Sequence, residues 1–205
     1  MNTIAVIDYG MGNLHSVSKA LIKVSPLDRI LVTSDIGEIE KADKIVLPGV
    51  GAIKECMEAL CKDKLHEVTI SNMMEKPTLA ICVGMQMLLE SSEENGGIKG
   101  LNLIDGKVRR ISNSKTVKVP HMGWNQVSQK YNHYMWTDIP DNSFFYFVHS
   151  YACDSSLDAI GLTSHGSEFI SAVSRKNIFA VQFHPEKSQK AGLQLYKNFI
   201  NWEID

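Results

Sequence analysis

The residue best placed to do chemistry in this sequence is Cys82. It lies in the apolar run 79–83, which follows a proline and has the length of a strand covered on both faces. Helical spacing of apolar residues begins directly afterwards at Met85, and the small residues Ala80 and Gly84 flank the cysteine. A strand that turns this sharply into a helix lifts the residue at the turn out of the sheet. Because the helix N-terminus favours a thiolate, the pattern predicts a nucleophile, against the alternative of a cysteine that only packs in the core.

A nucleophilic cysteine needs a general base, and His184 is the best candidate among the seven histidines. It comes soon after the apolar run 178–181, and Glu186 lies two residues beyond it. Because residues i and i+2 of an extended segment point to the same side, Glu186 can orient the imidazole and select its tautomer. The alternative is a surface histidine beside a solvated glutamate. The cysteine at a strand-to-helix turn in the same chain makes that alternative the weaker one.

Acyl transfer to a cysteine also requires hydrogen-bond donors for an oxyanion. The segment 48–51 reads Pro-Gly-Val-Gly and follows the strand pattern 44–47. Its glycines allow backbone N–H groups to approach a ligand closely, and the N–H that follows Cys82 is a further donor. By itself, the segment is more typical of a tight turn before a helix.

These residues require a framework that brings strand ends together. Short apolar runs at 4–7, 29–33 and 44–47 alternate with helical patterns, of which the clearest spans 53–61. The alternation predicts parallel β-α-β units, whose functional sites lie in loops beyond the carboxyl ends of the strands. Cys82 and the 48–51 segment both fall at such ends.

Three local predictions accompany this framework. Asn13 is placed to cap the first helix, and Cys56 and Cys61 fall on the apolar face of the 53–61 pattern as core residues. The loop between the first strand and helix contains Gly10 and Gly12. A third glycine at the spacing of a dinucleotide-binding motif is missing, so we do not expect a dinucleotide cofactor.

From about residue 101 the pattern becomes strand-rich. Strands are predicted at 103–111, 117–119, 124–127, 144–151, 172–173 and 178–183, and a helix from 188 onward. With short polar segments and no long helix between them, they predict an antiparallel addition to the parallel sheet. We therefore expect an α/β protein whose residues 1–205 form one domain.

Composition narrows the partners. The net charge of −2, from 21 basic and 23 acidic residues, predicts no nucleic-acid partner. We expect neither an export signal nor a membrane span, because no basic segment precedes the first apolar run and no apolar run is long enough to span a bilayer. Four cysteines without CxxC spacing predict reduced thiols, a cytoplasmic location and no metal site.

Together, the 48–51 segment, the residues around Cys82 and the sequence from Gln182 to Ser188 resemble class I, triad-type glutamine amidotransferases. The resemblance implies a flavodoxin-like fold and no cofactor. It also implies that Cys82 attacks the carboxamide of L-glutamine, that His184 passes a proton to the departing ammonia, and that Glu186 orients His184. Residues implied to contact glutamine are Gly49, Val50, Gly51, Gln86, Ser150 and Tyr151.

Three further stretches, at 7–14, 119–125 and 145–151, resemble the glutaminase subunits of imidazole glycerol phosphate synthase, a family of histidine biosynthesis. That resemblance runs along essentially the whole chain and implies a heterodimer with a separate (β/α)₈-barrel cyclase subunit, which consumes the ammonia. The residues implied to face the partner are Asn13, Pro120, His121, Trp124, Tyr146 and Lys187. Proline, aromatic and apolar residues clustered at 120–124 also suit a protein interface by composition.

The sequence departs from this family pattern at three positions. Ala80 stands where glycine is usual, Val83 stands where leucine is more common, and Cys153 occupies a region where a second aromatic residue is frequent. These departures leave room for a related amidotransferase subunit that supplies a surface-sugar synthase. Two further alternatives stay open: a stand-alone cysteine hydrolase, and a pseudo-enzyme or regulatory module. The last is disfavoured because a nucleophile, a base and an orienting carboxylate are all present.

Overall fold

In the computed structural model, which describes residues 1–204, the protein is built around a mixed β-sheet. Its strands are β1 (Thr3–Ile7), β2 (Arg29–Thr33), β3 (Lys44–Gly49), β4 (Thr78–Cys82), β5 (Ser91–Ser92), β6 (Ile98–Lys99), β7 (Lys107–Arg110), β8 (His121–Gln129), β9 (Ser143–His149), β10 (Tyr151–Cys153), β11 (Ala159–His165), β12 (Ser167–Arg175) and β13 (Ile178–Val181). The α-helices are α1 (Leu14–Val24), α2 (Ile36–Lys41), α3 (Ile53–Leu60), α4 (Leu65–Glu75), α5 (Val83–Leu88) and α6 (Gln189–Asn201).

The parallel part of the sheet has the strand order β2-β1-β3-β4-β13. Every residue of β3, β4 and β13 is buried, as expected for parallel strands with both faces covered. The strand order reverses between β1 and β3, and a crevice opens at the carboxyl ends of strands at such a reversal. Cys82 pairs with Gly49 in register at this edge, and β13 runs beside β4 with Val181 opposite Ile81.

The antiparallel part of the sheet begins where β12 pairs with β13. From β12 one branch continues through β10, β7, β5 and β6, in which β5 pairs with β7 in parallel, and a second branch continues through β11, β8 and β9. In the second branch His121 of β8 lies opposite His149 of β9, and Trp124 lies opposite Tyr146. The predicted class, α/β with a parallel sheet and an antiparallel addition, is therefore confirmed.

Several predicted elements need correction. Helices α2 and α4 were not predicted: α2 buries only Ile39, and the buried face of α4 includes Thr69 and Asn72, so neither shows a clear apolar period. Residues 117–119 form no strand, and the predicted strand 144–151 is interrupted at Ser150 between β9 and β10. The short strands β5 and β6, and the longer β11, were also missed.

Two side-chain predictions are wrong. Cys56 is fully buried as predicted, but Cys61 is exposed, because α3 ends at Leu60 and the helical period stops with it. Helix α1 begins directly after Asn13 as predicted, yet the Asn13 side chain makes no capping hydrogen bond. Among residues 1–204, none of the helices is both long and apolar enough to cross a membrane.

Candidate active site

Cys82 lies at a strained turn between β4 and α5. Its φ of 56° and ψ of −112° are unusual for a residue with a side chain, and such strain is characteristic of functional turns. The turn requires Gly84, because a Cβ at that position would lie 2.1 Å from the Leu47 carbonyl oxygen. Gly49 is under the same constraint, since its Cβ would lie 2.6 Å from the Gly84 nitrogen. The two glycines let the end of β3 approach the start of α5 closely enough to hold the cysteine between them.

His184 is held by both its side chain and its backbone. Its Nδ1 lies 2.8 Å from Oε1 of Glu186, and both side chains are almost completely buried. The backbone N–H of His184 donates to the Tyr146 carbonyl at 2.9 Å, and the Ser188 hydroxyl donates to the His184 carbonyl at 2.6 Å. Tyr196 reaches the other carboxylate oxygen of Glu186 at 3.5 Å. The imidazole is thus fixed in one orientation before any substrate binds.

The second ring nitrogen of His184, Nε2, is buried and makes no hydrogen bond within the part of the chain that the structure describes. Burial disfavours the imidazolium, but the interactions with Cys82 and with the Glu186 carboxylate outweigh burial and raise the His184 pKa to about 10. A proton is therefore available on His184 at neutral pH. This arrangement can protonate a leaving group next to the cysteine.

Two buried side chains fix the 48–51 segment. The Tyr9 hydroxyl donates to the Pro48 carbonyl at 2.6 Å, and the Cys56 thiol donates to the Val50 carbonyl at 3.3 Å. Burial raises the pKa of both donors, that of Cys56 to about 11, so both keep their protons. Because the C=O and N–H of a trans peptide point in opposite directions, the Gly51 N–H points away from Cys56. The two hydrogen bonds therefore fix the directions of the Pro48 and Val50 carbonyl groups.

Two buried carboxamide side chains, those of Gln86 and Gln182, lie near the cysteine. Gln86 Nε2 donates to the Tyr151 carbonyl at 3.0 Å and to Oε1 of Gln182 at 2.9 Å. Gln182 Nε2 in turn donates to Cys82 Sγ at 3.7 Å. Gln182 was not singled out from the sequence, although an uncharged polar side chain directly after an apolar strand is a signal of this kind of contact.

A cavity of about 400 Å³ opens above Cys82. It is lined by Asn13, Val50, Gly51, Cys82, Val83, Gln86, Glu94, Pro120, Val148, His149, Ser150, Tyr151, His184 and Lys187. The structure therefore brings together most of the residues implied for catalysis and glutamine binding. Gly49 lies behind the wall at the β3–α5 contact, and Glu186 lies behind His184.

Glu94 is a cavity residue that the sequence did not reveal. It lies on the short helical turn Glu94–Gly96, and its Oε2 accepts a hydrogen bond from the Ile53 N–H at 3.0 Å. Glu186 is turned away behind His184, which leaves Glu94 as the cavity's own carboxylate. No local pattern marks it, because a glutamate in a polar loop is ordinarily solvated.

An aromatic face adjoins the cavity on β8 and β9. Trp124 and Tyr146 contact each other edge to face at 6.1 Å between ring centroids, and Lys187 Nζ lies 5.6 Å from the Tyr146 ring. Met122, Trp124 and Phe144 are 63%, 45% and 54% exposed. Lys187 and Pro120 line the cavity, so the aromatic face and the cavity are continuous.

His121 differs from the other residues predicted to face a partner. Side chains alternate along β8, so His121 points to the opposite face from Met122 and Trp124. It is 4% exposed and stacks between Phe147 and His165. We therefore remove the His121 side chain from the predicted contact face. Within residues 1–204 the structure contains no cluster of three or more histidine, cysteine, aspartate or glutamate side chains that could hold a metal ion.

A strained cysteine, a histidine with its carboxylate and a glycine-rich segment are the parts of a cysteine-dependent acyl-transfer site. The family model for class-I glutamine amidotransferases matches residues 5–202. The structure is also similar to that of a putative GMP synthase subunit from Thermoplasma acidophilum, with a TM-score of 0.72 and 23% identity over 98% of this chain and 93% of that one. A PurLQS structure from Thermotoga maritima gives a TM-score of 0.71 and 16% identity over 98% of this chain and 99% of that one. The chain belongs to the class-I glutamine amidotransferases.

Similar sequences define a narrower group within this family. The imidazole glycerol phosphate synthase subunit HisH of Acinetobacter baylyi is 52% identical over 100% of both chains. The subunit of the same name from Nitrosococcus oceani is 51% identical over 98% of both chains. That from Aromatoleum aromaticum is 50% identical over 98% of this chain and 99% of its own.

Proposed function

We propose that this chain is the glutaminase subunit of an imidazole glycerol phosphate synthase, which hydrolyses L-glutamine and delivers the ammonia to a cyclase subunit. The observation that carries the proposal is the site geometry. Cys82 lies at a strained turn within reach of the buried His184–Glu186 pair, beside a cavity that continues into an exposed aromatic face. Full-length identity of about half to HisH subunits supports the same assignment.

The proposed reaction begins with attack of Cys82 Sγ on the carboxamide carbon of glutamine. The oxyanion that forms is stabilised by backbone N–H groups of the 48–51 segment and of Val83. The C–N bond then breaks, and ammonia leaves with a proton from His184. A water molecule, deprotonated by His184, hydrolyses the thioester and releases glutamate. Glu186 keeps His184 in the tautomer that both steps require.

We propose that Glu94 binds the α-ammonium group of glutamine, because it is the carboxylate that lines the cavity. The Val50, Gly51, Ser150 and Tyr151 backbones supply the other polar contacts. Gln86 contributes chiefly through its oxygen, since both hydrogens of its amide are already bonded within the protein.

We further propose that the aromatic face docks on a (β/α)₈-barrel cyclase subunit to form a heterodimer. Exposed aromatic and methionine side chains around one cation have the composition of an interface centre. The face is continuous with the cavity, so a bound partner would cover the mouth through which ammonia leaves. Asn13, Pro120, Trp124, Tyr146 and Lys187 would lie at this contact. The four unpaired cysteines support a reducing, cytoplasmic location.

The proposal is tested by replacing Cys82 with alanine in the complex with a candidate cyclase subunit. Synthase activity with glutamine should fall to background, whereas activity with ammonium salts should persist, because ammonia bypasses the cysteine. His184→Ala should behave in the same way. Full glutamine-dependent activity in Cys82→Ala would refute the proposal, and rapid hydrolysis of other amides by the lone chain would favour a stand-alone hydrolase. Activity only with a surface-sugar synthase would identify a different partner.

A further inference from the structure

A continuous chain of hydrogen bonds runs from β8 to the cysteine. It begins at Asn125, whose Oδ1 accepts the Gln126 N–H at 2.8 Å, so that its Nδ2 must be the donor. Nδ2 donates to the Ser164 carbonyl at 2.9 Å and lies 3.2 Å from His121 Nε2. Since this nitrogen of His121 is the acceptor, the ring proton lies on Nδ1.

The same tautomers follow from the other end of the chain. His149 Nδ1 lies 2.9 Å from the Tyr151 carbonyl, which can only accept, so Nδ1 carries the proton and Nε2 is free to accept. His121 Nδ1 lies 3.0 Å from that Nε2. Both rings must be neutral for these bonds to exist. Burial agrees, since it lowers the pKa of His121 to about 4 and that of His149 to about 3.

The chain then fixes the orientation of two amides. The Tyr151 carbonyl accepts from both His149 and Gln86, which uses both of its lone pairs. The second hydrogen of the Gln86 amide goes to Oε1 of Gln182. Gln182 can therefore present only its NH₂ group to Cys82 Sγ, and a flipped amide would place two donors against each other.

We propose that Gln182 is a positioning residue for the nucleophile: its N–H, held in one direction by the chain from Asn125, stabilises the Cys82 thiolate and fixes the position of its sulfur. The inference rests on the proposed function, in which Cys82 Sγ attacks glutamine and the nucleophilic form is the thiolate. Gln182 is fully buried and one hundred residues away along the chain, beside Cys82 only because β13 and β4 are neighbours. A donor to a charged acceptor is worth more than a donor to a neutral one.

The test measures thiol reactivity and so does not depend on glutamine hydrolysis. The isolated chain and its Gln182→Met variant are alkylated with iodoacetamide across a pH series, and modification of the Cys82 peptide is followed by mass spectrometry. We expect the midpoint of the rate profile to move up by about one pH unit in the variant. Gln194→Met, whose glutamine contacts Asn198 on α6 instead, should leave the midpoint unchanged. The other titratable groups around Cys82 are the same in all three proteins. His184, Tyr9 and Cys56 interact with it, and Glu94, His149, Tyr151 and Lys187 line the same cavity.

Superimposable profiles for the parent chain and Gln182→Met would overturn the proposal. A purely structural role for Gln182 would lower stability without moving the midpoint. If Gln182→Met does not fold, NMR of the ¹⁵N-labelled side-chain amides decides instead. Removal of the sulfur in Cys82→Ala should shift a Gln182 amide proton and leave those of Gln194 in place. An unchanged Gln182 signal would overturn the proposal as well. Failure of the glutaminase proposal would appear separately: the chain would not hydrolyse glutamine, although the alkylation midpoint of Cys82 still moved in Gln182→Met.

Discussion

Two buried histidines line the same cavity, and their pKa values are shifted in opposite directions. His184 is 2% exposed and has a pKa raised to about 10, whereas His149 is 7% exposed and has a pKa lowered to about 3. Burial disfavours the charged ring in both. The difference comes from their partners: the Glu186 carboxylate and Cys82 interact with His184, whereas a backbone carbonyl and the imidazole of His121 contact His149.

The comparison shows that burial alone does not make a proton donor. His184 has charged surroundings that raise its pKa, so it can supply a proton to a leaving group. The wall around His149 holds oriented neutral groups, which set the geometry of the Tyr151 backbone and the Gln86 amide. The two histidines also predict opposite pH effects on stability. For His149, unfolding takes up a proton below about pH 6.5, so stability falls as the pH drops. For His184, the contribution is present below pH 6.5 and is lost as the pH rises toward 10.

The largest predicted effect comes from removing the negative charge of Glu186 beside His184. Glu186→Gln should lower glutaminase kcat/KM by about 10²- to 10⁴-fold, because the amide neither stabilises the imidazolium nor fixes its tautomer. The His184 pKa should fall at the same time, which an NMR titration of the imidazole would measure. An unchanged pKa would mean that Cys82 alone keeps His184 protonated. Glu40→Gln, at an exposed carboxylate of α2, is the control.

Glu94 tests whether a second charge in the cavity binds substrate. Glu94→Gln keeps the acceptor for the Ile53 N–H but loses the negative charge, so KM for glutamine should rise by about 10- to 100-fold with little change in kcat. Steady-state glutaminase kinetics provide the measurement. The neighbouring, exposed Glu93→Gln should leave KM in place. Equal effects of the two variants would show that Glu94 does not contact glutamine.

The aromatic face on β8 and β9 allows a test of partner binding. Trp124→Ala should weaken affinity for the cyclase subunit by about tenfold or more, as removal of a central interface tryptophan commonly does. Calorimetric titration of the two subunits would measure it. Tyr131→Ala removes an exposed aromatic residue outside the aromatic face and should leave the affinity unchanged. If Trp124→Ala binds as tightly as the parent chain, docking occurs elsewhere.

The smallest effect concerns the neutral histidine. Between pH 5 and 6.5 the free energy of unfolding should rise with pH, and His149→Phe should reduce that slope by about 1 kcal/mol per pH unit. Urea unfolding at several pH values gives the slope. Replacing the exposed His15 with asparagine controls for the loss of one imidazole. A slope that survives in His149→Phe would assign it to other groups, of which His121 is the first to examine.

Much of the candidate site could be predicted from local pattern. The strand-to-helix turn at Cys82, the two-residue spacing of His184 and Glu186, and the paired glycines at the end of β3 depend on neighbours in sequence. The parallel half of the sheet was predicted better than the antiparallel half, because its strands are continuous apolar runs. In the antiparallel half, bulges and two-residue strands leave no period to detect.

By itself, the sequence determined which groups could act as nucleophile, base and orienting acid, because each is marked by a short motif with a backbone requirement. Only the tertiary structure decided that Gln182 donates to Cys82, that Glu94 lies in the cavity, and that His121 is buried. These facts depend on contacts between residues far apart in the chain. The structure also decided the opposite pKa shifts of His184 and His149, because a pKa reflects the charges and solvent around a group, and folding brings those together from distant segments.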